Sequence, residues 1–285
     1  MAMTPHILLA LLFVLTVAHL LTLKICAEKI DHRTAPVFVS FWTLLGLAVT
    51  APVFGHLWTE GWEKMATPQY LSLAVVRGLG LYAVFVISQE LMQTSLSSRH
   101  YVTPMAVGMI AVVNFFLGEQ LTPLQWLSAL SLCALAAAFF FKGHMADLNV
   151  PARRSYLKLV GLTVFLASVD YTLAKNTNWY ALLLVSNIVL LAVSLFINRA
   201  RTSVLRQAFV HKSAILAGAV YVVAEMVKYY QMVAINPVSV IVTVQAATKP
   251  VVLALAALLW KERTVKEQLL WGTAAFLVTL PLFFK

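Results

Sequence analysis

Apolar runs of about twenty residues follow one another almost without a break from residue 5 to residue 284. A run of that length, coiled as an α-helix, matches the hydrocarbon core of a bilayer. Lipid offers the backbone no hydrogen-bonding partner, so such a chain can form only helices or a closed barrel. Barrel strands alternate in units of about ten residues, whereas these runs are continuous and twice as long. An all-α integral membrane protein is therefore expected. Composition agrees: 61% of the 285 residues are hydrophobic and 11% charged, against about 25% charged in a soluble domain.

Ten transmembrane helices are expected, at 5–25, 36–56, 70–95, 101–117, 123–141, 155–174, 179–197, 213–235, 237–260 and 265–284. The residues before the first run, Met1 to His6, include no basic segment, so that run reads as a retained span rather than a signal peptide. The loop with Glu60, Glu63 and Lys64 reads as a wet connector, and Trp residues near the span ends read as an interfacial belt. Glycine is sparse, 11 in all, so close helix contacts are expected to rely on Ala and Ser.

A net charge of +10 suggests nucleic acid at first sight, but the cations sit in connectors. Those after odd-numbered spans carry most of them, for example Arg33, Arg153, Arg154, Arg199, Arg201, Arg206 and Lys212, and the opposite side carries Lys64, Lys175 and Lys285. The positive-inside rule then places the odd connectors in the cytoplasm and both termini outside. A multi-pass position in the bacterial inner membrane is expected, with no nucleic-acid partner. Cys26 and Cys133 form neither a disulfide framework nor a metal motif.

The chain also looks doubled. Leu117-Gly118-Glu119-Gln120-Leu121-Thr122 links the fourth span to the fifth, and Trp260-Lys261-Glu262-Arg263-Thr264 links the ninth to the tenth. Glu119 and Glu262 stand 143 residues apart, half the chain length. With five spans in each half, equivalent spans must run in opposite directions. Two inverted five-helix repeats are thus expected, at 1–143 and 144–285, an architecture of secondary transporters with the site at the repeat interface. Glu119 and Glu262, with Thr122 and Thr264 close by, read as capping or turn residues at the start of the helices that follow them.

The segment from Phe115 to Trp126, together with the five-plus-five arrangement, resembles the drug/metabolite transporter superfamily in its EamA-like ten-helix branch. The resemblance implies alternating-access transport of metabolites such as amino acids, drugs or sugar phosphates. It also implies N-in and C-in termini, the reverse of the charge bias. Ala246-Ala247-Thr248-Lys249-Pro250 is similar to the ninth-span lysine context of nucleotide-sugar and triose-phosphate carriers, where the lysine looks toward a phosphate.

Charges at bilayer depth mark candidate sites, because each costs about 2.5–3.5 kcal/mol unpaired on translocon scales. Tyr221, Glu225, Lys228 and Tyr229 fall at i, i+4, i+7 and i+8 on one helical stripe. Glu225 and Lys228 either pair with each other at i,i+3 or line a wet cavity. Lys249 stands beside the helix-breaking Pro250, with Gln245 one turn earlier on the same face. Asp170 and Arg77 complete the candidate substrate-binding set, and Glu225 and Asp170 are the candidate proton-coupling groups. Gln89, Glu90 and Gln93 read as a polar mouth, and Asn114 and Asn187 as interhelical hydrogen-bonding residues.

HExxH, GxSxG, CxxC and a phosphate-binding glycine loop are all missing, so an enzyme is not expected, nor a cofactor or a metal. The interior charges Arg77, Lys228, Lys249, Glu90, Asp170 and Glu225 nearly cancel. That balance suits a zwitterion or an organic anion as the small-molecule substrate of a secondary transporter, acting as monomer or homodimer. A lipid-headgroup or polyprenyl-phosphate flippase and a non-transporting accessory subunit are the alternatives.

Overall fold

The computed structural model describes residues 5–94, 102–141, 150–234, 237–260 and 265–279. Among them the only regular structure is helical. The elements are α1 (Pro5–Lys29), a 3-10 turn (His32–Thr34), α2 (Ala35–Phe54), α3 (His56–Met65), α4 (Pro68–Thr94), α5 (Val102–Phe116) and α6 (Pro123–Phe139). They continue with α7 (Val150–Asn176), α8 (Trp179–Asn198), α9 (Thr202–Val210), α10 (Lys212–Ala234), α11 (Val238–Ala247), α12 (Lys249–Trp260) and α13 (Val265–Thr279). The all-α membrane class expected from the apolar runs is what the chain adopts.

Among the described residues seven helical segments are long and apolar enough to cross a membrane, and Val102–Phe116, Pro123–Ala138 and Leu270–Thr279 are shorter apolar helices. Two connectors are helical as well. In α3, Gly61 and Met65 are buried one turn apart; in α9, Val204 and Ala208 are buried at the same spacing. An i,i+4 anchor with polar flanks is the pattern of a short amphipathic helix. The ninth apolar run is not one helix. It breaks at Thr248, whose N–H and hydroxyl both turn back to the Gln245 carbonyl. Pro250 follows and has no N–H to return to Ala246, so α11 cannot run on into α12.

The chain divides into two compact units. One holds 1–21, 91–168 and 236–285; the other holds 22–90 and 169–235. Each draws helices from both halves of the sequence. In the first, α5 packs on α6 and α11, and α13 packs on α6 and α12. Tyr156 stacks on Phe140 with ring centroids 4.1 Å apart, and Cys133 reaches the Met105 carbonyl at 3.1 Å.

In the second unit, α2 packs against both α8 and α10. Its core joins Leu47, Met65, Ala74, Leu173, Trp179, Leu182 and Tyr229, and the Tyr180 hydroxyl donates to the Leu47 carbonyl at 2.9 Å. The expectation about glycine is overturned here. A Cβ on Gly78 of α4 would lie 2.8 Å from the Ser186 carbonyl oxygen of α8 and 2.7 Å from Val189. Gly46 likewise faces Val222, and Gly218 faces Trp42. Few glycines suffice when each stands at a helix crossing, where removing one Cβ lets two backbones approach. The aromatic belt is also narrower than expected: Trp179 and Trp271 are 5% and 0% exposed, so both fill core rather than mark an interface.

Candidate functional site

The charged cluster of the second unit is built from three helices. Arg77 lies on α4, Asp170 on α7, and Tyr221, Glu225, Lys228 and Tyr229 form the stripe on α10. The Arg77 Nε donates to Asp170 Oδ1 at 2.5 Å. Its Nη2 donates to the Tyr229 hydroxyl, and that hydroxyl donates in turn to Asp170 Oδ2 at 2.6 Å. The three side chains close a ring of charge-assisted hydrogen bonds, the strong kind. The Arg77 guanidinium carbon also lies 5.0 Å from the centroid of the Tyr229 ring, an attractive cation–π distance. Nη1 of Arg77 is buried without a hydrogen-bond partner among the described residues.

A second pair adjoins the first. Lys228 Nζ donates to both oxygens of Glu225, at 2.7 and 2.9 Å, so the i,i+3 pairing open to these residues is made. Lys228 Nζ also stands 4.3 Å from the centroid of the Tyr229 ring, which thus contacts both cations. Tyr221 hydrogen-bonds Glu225 and meets Phe85 edge-on at 5.5 Å. Two cations and two carboxylates make the cluster neutral.

Burial divides it. The Arg77 side chain is 1% exposed and that of Asp170 12%; those of Lys228 and Glu225 are 13% and 9% exposed. Tyr229 is fully buried. Arg77 and Tyr229 are therefore closed off, while Asp170, Glu225 and Lys228 keep slight exposure. Asp170 is engaged by Arg77 and Glu225 by Lys228. Lys249 and Gln245 belong to the first unit, at the break between α11 and α12, where Lys249 is 3% exposed. In the expected polar mouth, Gln89 is buried and donates to the Leu23 carbonyl at 3.3 Å, whereas Glu90 is exposed.

The first unit contains a polar junction that the motif reading assigned differently. Thr122 and Gln125 close a reciprocal capping box at the start of α6, so Glu119 is not the cap of that helix. Glu119 instead caps α11: Ser239 donates its N–H to Glu119 Oε1 at 3.1 Å, and its hydroxyl to Oε2. A carboxylate at a helix start is favoured by the unsatisfied N–H groups and the dipole there. Gly118, at φ 93°, makes this possible. Its left-handed turn ends α5 and sends the Glu119 N–H back to the Asn114 carbonyl at 2.8 Å, a helix stop glycine suits best.

Asn114 approaches Ser239 Oγ at 3.5 Å, the interhelical role expected of it. Asn187 bonds instead to Leu183 of its own helix. Ser239 escaped sequence reading; its one signal was its place two residues after Pro237 at a helix start. Glu262 lies outside the described residues. Among those residues no cluster of three His, Cys, Asp or Glu could hold a metal ion. No protein-family model matches the chain, and no curated protein matches it.

Proposed function

We propose that the chain is a secondary transporter that moves a small polar metabolite, anionic or zwitterionic, across a membrane by alternating access. The observation that carries this reading is the neutral cluster of Arg77, Asp170, Glu225 and Lys228, interleaved with Tyr221 and Tyr229 inside apolar helices. A scaffold gains little from such groups, since well-packed apolar side chains often serve stability as well or better. A carrier gains exchangeable partners. A substrate carboxylate or phosphate takes Lys228 from Glu225, and the released carboxylate takes a proton or the substrate's cationic group. Asp170, held by two donors, is the slower of the two acids to release.

Ten spans in two inverted repeats, as in the drug/metabolite transporter superfamily, fit the composition of the units. Pairing each span with the one five later relates α2 to α8, α4 to α10, α5 to the broken α11–α12, and α6 to α13. Both members of each pair contribute to the same unit, and α2 with α8, α5 with α11, and α6 with α13 pack directly. The broken ninth span fits the discontinuous helices of such carriers.

The test is solute counterflow in proteoliposomes with a panel of amino acids, carboxylates and sugar phosphates, with and without a pH gradient. One class of solute should exchange, and Lys228→Ala and Glu225→Gln should each lower its rate at least about tenfold, the loss of roughly one charge-assisted hydrogen bond. Undiminished exchange in both variants would remove the site; absence of flux for every solute would remove the transporter reading.

A further inference from the structure

We propose that the basic surface shared by the α1–α2 and α8–α9 connectors binds the phosphate headgroup of an anionic phospholipid. The inference does not depend on the transport reading. It starts at Tyr82 of α4, a half-buried residue whose hydroxyl hydrogen-bonds Asn198, with Arg33 and Arg201 both in electrostatic range. Arg33 lies on the 3-10 turn, and Arg201 is the residue before the first turn of α9. Arg201 donates to Asn198 Oδ1 at 3.4 Å, which ties it to the end of α8.

Neither guanidinium has a carboxylate within ion-pair distance among the described residues. No acid occurs between Asp170 and Glu225. The one acid of the turn, Asp31, is occupied by the Arg33 backbone N–H at 2.8 Å and faces His32 at 3.6 Å. The Asp31 N–H donates to Gln207 Oε1 of α9 at 3.2 Å, which fastens the turn that carries Arg33 to the helix that follows Arg201, so the two arginines share one basic surface. A phosphodiester fits them, because its two free oxygens match the guanidinium fork.

Apolar surface beside them identifies the anion's carrier. Phe196, at the end of α8, is 65% exposed, and Phe209 and Val210 of α9 are 40% and 66% exposed. Arg199 lies 4.7 Å from the centroid of the Phe196 ring. Val204 and Ala208 hold α9 to the unit by its buried side, and Phe209 meets Phe41 of α2 edge-on at 5.0 Å, so Val210 and the outer edge of Phe209 are what α9 leaves uncovered. A short helix with one anchored face, cations around it and exposed aromatics is how interfacial helices meet anionic lipid. A free phosphate would leave that apolar surface uncovered, whereas acyl chains cover it.

The test is native mass spectrometry of the detergent-purified chain titrated separately with phosphatidylglycerol, phosphatidylcholine and inorganic phosphate. Phosphatidylglycerol adducts should persist at concentrations where phosphatidylcholine gives none. The double variant Arg33→Gln/Arg201→Gln should weaken them about thirtyfold, the loss of two cations near an anionic headgroup. Arg154→Gln/Lys158→Gln, which removes equal charge elsewhere, should leave them unchanged. Equal retention of the two lipids by the wild-type chain would overturn the proposal. So would undiminished phosphatidylglycerol binding by the first double variant, equal loss in the second, or inorganic phosphate displacing the lipid.

Discussion

Tyr229 serves three charged neighbours at once: its hydroxyl accepts from Arg77 and donates to Asp170, while its ring lies 5.0 Å and 4.3 Å from the Arg77 and Lys228 cations. Lost separately, these contacts have different costs. Asp170→Asn leaves a guanidinium at 1% exposure without its directly bonded counter-charge, and breaking a buried pair from one side costs about 3–5 kcal/mol. Tyr229→Phe keeps the ring and the packing but removes one acceptor and one donor, at about 1–3 kcal/mol. Chemical unfolding in detergent micelles should rank Asp170→Asn as the more damaging. The double replacement Arg77→Met/Asp170→Leu should recover most of the loss, because it leaves no orphan charge. If Asp170→Asn unfolds at the wild-type denaturant concentration, the ion pair contributes nothing to stability, and the ring described here does not govern the cluster.

Helix termini decide more of this fold than helix interiors do, and they were the least legible part of the sequence. The spans follow from continuous apolarity, and the stripe on α10 follows from 3.6-residue periodicity, so Tyr221, Glu225, Lys228 and Tyr229 were readable as one face. That Arg77 and Asp170 would meet Tyr229 was not, because no local pattern records which helix packs beside which. Glu119 makes the same point: its nearest helix start already has the Thr122–Gln125 box, and its acceptor is needed at Ser239, 120 residues away. The crossings at Gly78 and Gly46 were hidden as well, since a low glycine count says nothing about where each glycine stands. Loss of the α11 cap should be local. Glu119→Ala should cost about 0.5–2 kcal/mol, and hydrogen exchange should speed up in Val238–Ala247 while Trp179–Asn198 stays protected. Uniform acceleration across both helices would mean that Glu119 does more than cap, and no change would mean that the cap is dispensable.

Over the whole molecule, the architecture turns on whether the short apolar helices cross. Helix α5 has 15 residues and a rise of about 22 Å, less than the roughly 30 Å of a typical hydrocarbon core. It does not stop there in chemical terms: Leu117 and the left-handed Gly118 extend the apolar path before Glu119 turns to α11, and local thinning of the bilayer accommodates a short span at modest cost. One unit holds the second and seventh apolar runs and the other the fourth with the ninth and the fifth with the tenth; the proposed five-plus-five inverted repeat requires that α5 and α6 both cross. Cysteine accessibility decides this. In a background with Cys26→Ala and Cys133→Ala, single cysteines replace Thr59 on α3, Gln120 between α5 and α6, and Ser203 on α9, all exposed positions. If every apolar helix crosses, positions 59 and 120 follow even-numbered spans and label together from one side of intact cells, while 203 labels only after permeabilisation. The positive-inside rule predicts that this protected side, with Arg199, Arg201 and Arg206, is the cytoplasm. Labelling of 120 opposite to both 59 and 203 would mean that α5 alone turns back within the membrane, leaving four crossings in the first half; labelling of 120 in step with 203, both opposite to 59, would mean that neither α5 nor α6 crosses. Labelling of 203 from outside, with 59 and 120 protected, would keep the repeat and reverse the orientation.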